Sequence, residues 1–311
     1  MKEYLINCTV QREFNLLAFS ISVDLQLVLF IGILVMYLLT LLGNLLITGL
    51  IYLTPQLHTP MYYFLCNLSV LDIIYVSSVL PKFLSILVTG DTRIVFPACI
   101  TQMFLFTFCI VAEFLLLTSM AYDRYVAICV PLRYTIIMNK NLCITLFSVS
   151  WIVSFFNSLL YAMLVSTLSF CNSQDISHFF CDTKTVTVLS SADITGIEML
   201  LFMECIFLGF TPFVLILISY TCIIATIIKI SSSAGRVKAF SSCSSHLTVV
   251  ILLCGTSVVS YMVPESQVSR ERDKFLSLLY TVVAPMLNPL VYTLRNNQVL
   301  KSMENICKKH Y

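Results

Sequence analysis

The sequence predicts an all-α membrane protein, a bundle of seven transmembrane helices with a short amphipathic helix after the seventh. The first observation is composition: 59% of the 311 residues are hydrophobic and only 11% are charged, against about a quarter charged in ordinary soluble domains. A soluble fold would leave much of this apolar surface in water. The second observation is that the apolar residues form seven runs, each near the roughly 20 residues that cross a bilayer.

The seven runs define one transmembrane domain between two tails. The predicted spans are 25–52, 60–87, 98–128, 141–165, 197–228, 239–263 and 273–294. The domain therefore covers 25–294, with an N-terminal tail at 1–24 and a C-terminal tail at 295–311. The N-terminal tail carries five charges and no long apolar segment, so we expect no cleaved signal peptide and assign targeting to the first span.

Prolines lie inside the fifth and seventh spans, at Pro212, Pro285 and Pro289. Within a membrane helix, proline frees a carbonyl group and permits a kink. Pro289 follows Asn288, and Tyr292 lies one turn later, so this segment predicts either a hinge or a static kink. After the seventh span, residues 298–307 and the two lysines behind them are typical of a helix that lies on the inner leaflet.

Three observations favour an extracellular N-terminus. That orientation places ten Lys and Arg residues in the cytoplasm and eight outside, as the positive-inside tendency requires. Asn7 begins a glycosylation sequon, Asn-Cys-Thr. Cys99 and Cys181 would both lie on the outer side, where oxidation is possible. We therefore predict a multi-pass protein of the plasma membrane.

Four polar side chains fall at similar depths within the apolar runs. Asp72 lies about 12 residues into the second run, roughly 18 Å deep, and Glu113 lies at a comparable depth in the third. Asn44 and Asn288 come within reach of the same level. Ionisable groups inside a membrane are costly and mark candidate sites. Two carboxylates and two amides could hold Na⁺, which prefers oxygen ligands; the alternative is a hydrogen-bonded core that only fixes helix packing.

A second charged group, Asp123-Arg124-Tyr125, lies near the inner end of the third run. It is about 16 Å below Glu113 at the helical rise per residue. Arg124 could be an anchor that extends its charge to the interface. It could also form an ion pair with Asp123 that opens when the helices move.

Several short motifs occur at characteristic positions along the chain. The single positions are Gly43-Asn44, Asp72, Cys99, Asp123-Arg124-Tyr125, Trp151, Pro212 with Tyr220, and Asn288-Pro289 with Tyr292. The longer stretches are LHTPMYYFLCNLS at 57–69, MAYDRYVAIC at 120–129, KAFSSCSSHLTVV at 238–250 and PMLNPLVYTLRN at 285–296. The chain thus resembles the olfactory receptors, a family of rhodopsin-like (class A) G-protein-coupled receptors, over nearly its whole length.

The resemblance implies a function and a set of roles. The chain would be an odorant receptor, not an enzyme, that activates the stimulatory olfactory G-protein, raises cAMP and resides in olfactory cilia. Cys99 would pair with Cys181, and Asp72 with Glu113 would form the family's sodium or polar site; no cofactor beyond that structural Na⁺ and no nucleic acid is implied. The residues that would rearrange on activation are Asp123, Arg124, Tyr125, Tyr220, Asn288, Pro289 and Tyr292.

The resemblance also implies an odorant cavity among helices three, five, six and seven. The helix-three residues that share one face are Phe106, Thr107, Ile110, Val111 and Phe114. To these we add, from the other helices, Glu204, Leu208, Ser257, Val258, Tyr261 and Thr281. Aliphatic and aromatic walls with a few hydroxyl groups suit a small, volatile and mostly apolar ligand.

The chain departs from the family pattern at three places. Ser190 and Ser191 stand where the family carries a third loop cysteine, which leaves Cys171 either free or paired elsewhere, for example with Cys8. Cys254 stands where the family has a tyrosine at the base of the cavity. Glu204 is an unusual acid for a cavity wall; it would either face a polar group of the ligand or be protonated in place.

Two other classes of function compete with an odorant receptor. A non-olfactory class A chemosensory receptor for another small ligand would show the same sequence features. A secondary transporter would show inverted repeats and paired discontinuous helices, which the sequence lacks. Which odorant the chain binds does not follow from the sequence, because the shape of the cavity depends on side-chain packing.

Overall fold

A computed structural model describes residues 13–19, 21–171, 174–229, 246–256 and 270–294, with Ser232, Arg236, Ser244, Val299, Leu300 and Ser302. Within these residues the fold is a helical bundle, as predicted. Six helices are long and apolar enough to cross a membrane, and a shorter apolar helix lies between the fifth and the last of them.

The described helices are numbered here in chain order. They are α1 Val23–Leu53, α2 Pro60–Thr89, α3 Phe96–Cys129, α4 Lys140–Ser166, α5 Thr195–Ile228, α6 His246–Thr256, and α7, which consists of Arg270–Leu278, Leu279–Val283 and Ala284–Leu294. Short helical turns occupy Pro55–Leu57, Pro131–Arg133, Tyr134–Ile137 and Thr183–Thr187. The described part of the chain contains three strands: β1 Glu13–Leu16, β2 Arg93–Val95 and β3 Asp175–Ile176.

Local chemistry sets several helix ends. α2 begins at Pro60, whose fixed φ suits the first helical position, and stops at Gly90, which has a φ of 71°. The left-handed backbone conformation at that position favours glycine, because glycine carries no Cβ. α4 begins after Asn139, whose side-chain oxygen accepts a hydrogen bond from the Leu142 backbone N–H at 2.9 Å. This bond satisfies one of the free N–H groups of the first turn.

Two π-helical turns precede prolines, one in α5 and one in α7. Cys205–Phe210 lies just before Pro212, and Leu279–Val283 lies just before Pro285. Proline lacks an N–H group, and its ring clashes with the carbonyl of the residue four positions earlier. The wider turn relieves this conflict without ending the helix.

The bundle has its core at α3, which packs against α2, α4 and α5. α1 packs on α2 and α7. Much of the outer surface is apolar, including Leu27, Val28, Leu42 and Tyr52 of α1. Such side chains face hydrocarbon at no cost in a multi-pass membrane protein.

A small three-stranded sheet, which the sequence did not predict, covers one end of the bundle. Its order is β2-β1-β3. β1 is antiparallel to β2, with Phe14 opposite Ile94, and parallel to β3, with Leu16 opposite Ile176. Phe14, Leu16 and Ile176 are fully buried. The segment before α1 is therefore packed between the α2–α3 link and the long link after α4.

Close packing of α1 on α7 predicts a strong effect of adding one methyl group at Gly43. A Cβ there would lie 2.9 Å from both Cβ and Cγ of Pro289, closer than carbon atoms pack. We expect Gly43→Ala to lower the free energy of unfolding of the detergent-solubilised protein by about 1–3 kcal/mol. The measurement is the melting temperature, which should fall. Gly49→Ala on the same helix is the control, because nothing lies within 4 Å of its new Cβ. Equal melting temperatures for the two variants would contradict this packing.

Some sequence predictions concern residues outside the described ones. These are the glycosylation site Asn7, the disulfide candidate Cys8, and cavity residues Ser257, Val258 and Tyr261. The side chain of Tyr292 is also outside the description, although its backbone is helical. Of the predicted amphipathic helix, only Val299, Leu300 and Ser302 are described, and all three are helical.

Candidate functional site

A cavity opens between α3, α5 and α6 below the long link after α4. Its volume is about 100 Å³, of the same order as the cavity of about 150 Å³ that binds benzene in an engineered protein. The described lining residues are Phe106, Thr107, Ile110, Val111, Phe114, Asp182, Thr183, Leu201, Glu204, Cys205, Leu208, Gly209, Phe210, Phe213 and Cys254. The wall is thus mainly aromatic and aliphatic, with two hydroxyl groups and two carboxyl groups.

The structure brings together the predicted helix-three and helix-five residues of this cavity. All five predicted α3 residues line it, and so do Glu204 and Leu208. Thr281 is not among the lining residues; it is fully buried, and its hydroxyl donates to the Ser277 carbonyl at 2.6 Å. Cys254 of α6 lies in the wall, so its thiol is at a position that a ligand can reach.

Seven of the lining residues were not predicted. Asp182 and Thr183 belong to the long link and not to a membrane helix; the other five lie on α5 and are Leu201, Cys205, Gly209, Phe210 and Phe213. A disulfide between Cys99 and Cys181 ties this link to the start of α3, as the resemblance implied. Gln102 strengthens the connection: its side-chain oxygen accepts from the Cys181 N–H at 2.8 Å, and its amide donates to the Ser78 carbonyl at 2.8 Å. The link is therefore fixed over the cavity.

His178 anchors the same link from the side of α7. Its Nε2 lies 3.1 Å from the Ser277 hydroxyl, and its ring contacts Phe179 and Phe180. Burial lowers the pKa of His178 to about 3, and the nearby positive charges of Lys274 and Lys184 add to this effect. The ring is consequently neutral at physiological pH and packs as part of an aromatic cluster.

Cys171 is disulfide-bonded. The sequence left open whether Cys171 is free or paired elsewhere, and the free thiol is therefore wrong. Its partner lies outside the described residues. Its backbone N–H donates to the hydroxyl of Ser191 at 3.2 Å. Ser191 thus lies next to Cys171 and helps to hold the start of the long link in place.

Glu204 projects from α5 and is held by α4. Asn157 donates to Glu204 Oε1 at 2.7 Å, and the Tyr161 phenol also hydrogen-bonds to this carboxyl group. Tyr161 is fully buried. The carboxyl group of Glu204 is therefore held in place by side chains of α4. Glu204 is also part of the cavity wall.

A buried polar cluster lies deeper, between α1, α2, α3 and α7. Asn288 Nδ2 lies 3.1 and 3.0 Å from the two carboxyl oxygens of Asp72, and 3.4 Å from Glu113 Oε1. Asn44 hydrogen-bonds to Asp72 as well, and its amide donates to the Thr40 carbonyl at 3.0 Å. The side-chain oxygens of Asn44 and Asn288 are buried without a hydrogen-bond partner in the described structure.

Whether the cluster could bind a cation depends on the oxygen atoms that its side chains offer. Two carboxylates and two unpartnered amide oxygens form a donor set that suits Na⁺. Within the described residues, no three His, Cys, Asp or Glu side chains are grouped so as to hold a metal. The oxygen atoms of the cluster are thus of the kind that Na⁺ binds.

At the other end of α3, Arg124 and Asp123 form an ion pair. Arg124 Nη2 lies 2.5 Å from Asp123 Oδ2, and Nε lies 3.0 Å from the same oxygen. The Tyr134 hydroxyl donates to Asp123 Oδ1 at 2.8 Å. The neighbouring Tyr125 is half-buried, and its ring stacks on Tyr122. Asp123 is fully buried, whereas the Arg124 side chain is partly exposed.

α5 and α6 are joined at a similar level. The Tyr220 hydroxyl lies 2.6 Å from His246 Nδ1, and the two rings stack with centroids 5.6 Å apart. Both side chains are buried. His246 was not predicted as a functional residue. The sequence around a single histidine in an apolar helix does not indicate which other helix that histidine contacts.

Comparisons with known proteins agree with this architecture. The family profile described as olfactory receptor matches residues 33–309. Human olfactory receptor 6J1 (Homo sapiens) is 47% identical over 287 residues, which cover 92% of this chain and 83% of that protein. Human olfactory receptor 2A12 is 46% identical over 303 residues, covering 97% and 98%. Olfactory receptor 1G1 of Gorilla gorilla gorilla is 45% identical over 300 residues, covering 96% of each chain.

Proposed function

Because the chain belongs to the olfactory receptor family of G-protein-coupled receptors, we propose that it binds a small odorant in the cavity between α3, α5 and α6. The observation that carries this proposal is the cavity itself. Its walls are largely apolar, and its volume of about 100 Å³ suits a molecule near the size of benzene. The hydroxyl and carboxyl groups in the wall are few, which is typical of sites that orient a ligand within an apolar pocket.

The proposed signal passes from the cavity to the cytoplasmic end of the bundle. The cavity wall includes Cys254 of α6 and Phe213 of α5, and the Tyr220–His246 contact joins these two helices nearer the cytoplasm. A ligand that separates α5 from α6 would strain this contact. We propose that α6 then moves outward, and that the Asp123–Arg124 pair, Tyr125, and the Asn288-Pro289 and Tyr292 segment rearrange with it.

The proposed partner is the stimulatory olfactory G-protein, and the proposed consequence is a rise in cAMP. This requires the N-terminal tail, 1–24, to be extracellular and residues 295–311 to be cytoplasmic, in the plasma membrane of olfactory cilia. Odorants and G-proteins are the partners expected for the family. A non-olfactory class A chemosensory receptor remains the alternative, since the same cavity and bundle would serve another small ligand.

The test is a cAMP assay in cells that express the chain with the olfactory G-protein, stimulated by a broad odorant panel. Val111→Phe places a larger ring in the cavity wall, so we expect the half-maximal odorant concentration to rise at least about tenfold, the equivalent of about 1.4 kcal/mol. Val149→Phe is the control, because Val149 of α4 is exposed on the outside of the bundle. Equal dose–response curves for Val111→Phe and the unchanged chain would place the odorant elsewhere.

The buried cluster at Asp72 predicts a sodium-dependent response. We expect replacement of Na⁺ by an organic cation to change odorant potency in isolated membranes, and Asp72→Asn to remove this dependence because it deletes one carboxylate ligand. Asp91→Asn is the control: Asp91 is an exposed loop residue that pairs with Arg93 at 3.0 Å. If odorant potency of the unchanged chain were independent of Na⁺, the cluster would serve helix packing alone.

A further inference from the structure

The wall of the cavity carries acids and no base among its described residues, and this asymmetry points to a class of ligand. We propose that the cavity selects small amines with a compact apolar body, and that Glu204 binds the amino group. The inference rests on the proposed function, because it assumes that odorants occupy this cavity.

The first step is the placement of Glu204. Its two neighbours on α4 act as donors: Asn157 donates to Oε1 at 2.7 Å, and Tyr161 forms a second hydrogen bond. A carboxylate accepts about four hydrogen bonds, so these two leave acceptor capacity on the cavity side. Because its partners hold the group in one position, a ligand donor would meet an oriented acceptor. A ligand that offers only acceptors would leave it unmatched.

The second step is the charge of the surrounding wall. Asp182 also lines the cavity, and the remaining polar side chains of the described lining are the hydroxyl groups of Thr107 and Thr183. No Lys, Arg or His occurs among the described lining residues. Charges interact strongly where water is largely excluded. Glu204 therefore attracts an ammonium group and repels a carboxylate.

The third step is the shape of the remaining space. The rings of Phe106, Phe114 and Phe213 and the side chains of Ile110 and Leu208 form the apolar part. Aromatic faces also favour a nearby cation. The π-helical turn at Cys205–Phe210 directly follows Glu204 and supplies four lining residues. Acid and apolar surface are thus adjacent, which fits a molecule with one amino group on a body near benzene in size.

The test compares four ligands with the same ring: cyclohexylamine, cyclohexanol, methylcyclohexane and cyclohexanecarboxylic acid. In the cAMP assay, we expect the amine to be the most potent, at least about tenfold above the alcohol, since a charge-assisted hydrogen bond is about twice as strong as a neutral one. Glu204→Gln should weaken the amine at least about tenfold and leave the alcohol nearly unchanged. Glu198→Gln is the matched control, because Glu198 is an exposed acid on the same helix.

Surface staining of each variant shows whether it folds. If Glu204→Gln does not reach the surface, Glu204→Asp tests the same point, because it keeps the charge and should keep the preference for the amine over the alcohol. The inference is overturned if the amine is no more potent than the alcohol, or if Glu204→Gln weakens both equally. Activation by alcohols or esters alone, sensitive to Val111→Phe, would overturn the amine class and leave the odorant function intact. Silence of the surface-expressed chain toward the whole panel would overturn the odorant function instead.

Discussion

Arg124→Ala is expected to abolish odorant-driven cAMP production by receptors that still reach the cell surface. Arg124 makes two hydrogen bonds to one carboxyl oxygen of Asp123, at the end of α3 opposite the cavity. The Arg124 side chain is 17% exposed, so its guanidinium group can leave this partner without crossing a thick apolar layer. If activation requires the guanidinium group to be released toward the G-protein, alanine removes the contact that activation creates.

The measurement is odorant-driven cAMP normalised to surface staining. Alanine at 124 also leaves the buried carboxylate of Asp123 with Tyr134 as a hydrogen-bond donor, and an uncompensated buried charge is destabilising. Arg124→Lys therefore accompanies it: lysine keeps the charge but lacks the planar fork that binds two ways, so we expect a partial response. Arg133→Ala is the control, because Arg133 is an exposed arginine nine residues after Arg124 in the sequence. A full cAMP response of Arg124→Ala would disprove the assigned role.

Removal of the Cys99–Cys181 disulfide should have a comparably large effect, through folding and not through signalling. The bond joins residues 82 positions apart, and loss of a native disulfide typically costs about 2–5 kcal/mol. That is a large share of the roughly 5–15 kcal/mol by which a protein is stable. The long link would also lose the anchor that keeps Asp182 over the cavity.

We expect Cys99→Ser and Cys181→Ser each to reduce surface expression to near background, and the double variant to be no worse than either. This non-additivity follows because both single variants break the same bond. Cys222→Ser is the control, since Cys222 is a free and exposed cysteine of α5. Normal surface staining of Cys181→Ser with unchanged odorant potency would show that the hydrogen bond from the Cys181 N–H to Gln102 suffices to hold the link.

The helices were predictable because each depends on local properties. A run of about 20 apolar residues crosses a bilayer whatever its neighbours are, and helix ends follow from residues such as Pro60, Gly90 and Asn139. The resemblance implied which residues of α3 line the cavity, and their spacing agreed with it, because residues three and four apart share a helix face. The wall contributed by Asp182 and Thr183 was not predictable, since no period governs a loop.

The apolar runs were enough to predict a helical membrane protein, and the motifs predicted membership in a receptor family by resemblance. The ionisable residues inside those runs were also evident, because a charge there is costly. Their partners became known from the tertiary structure. It places Glu204 against Asn157 and Tyr161, joins Asp72 to Asn288, and sets Tyr220 against His246. The physical reason is that hydrogen bonds act over about 3 Å, and which side chains approach that closely across helices depends on how the whole bundle packs.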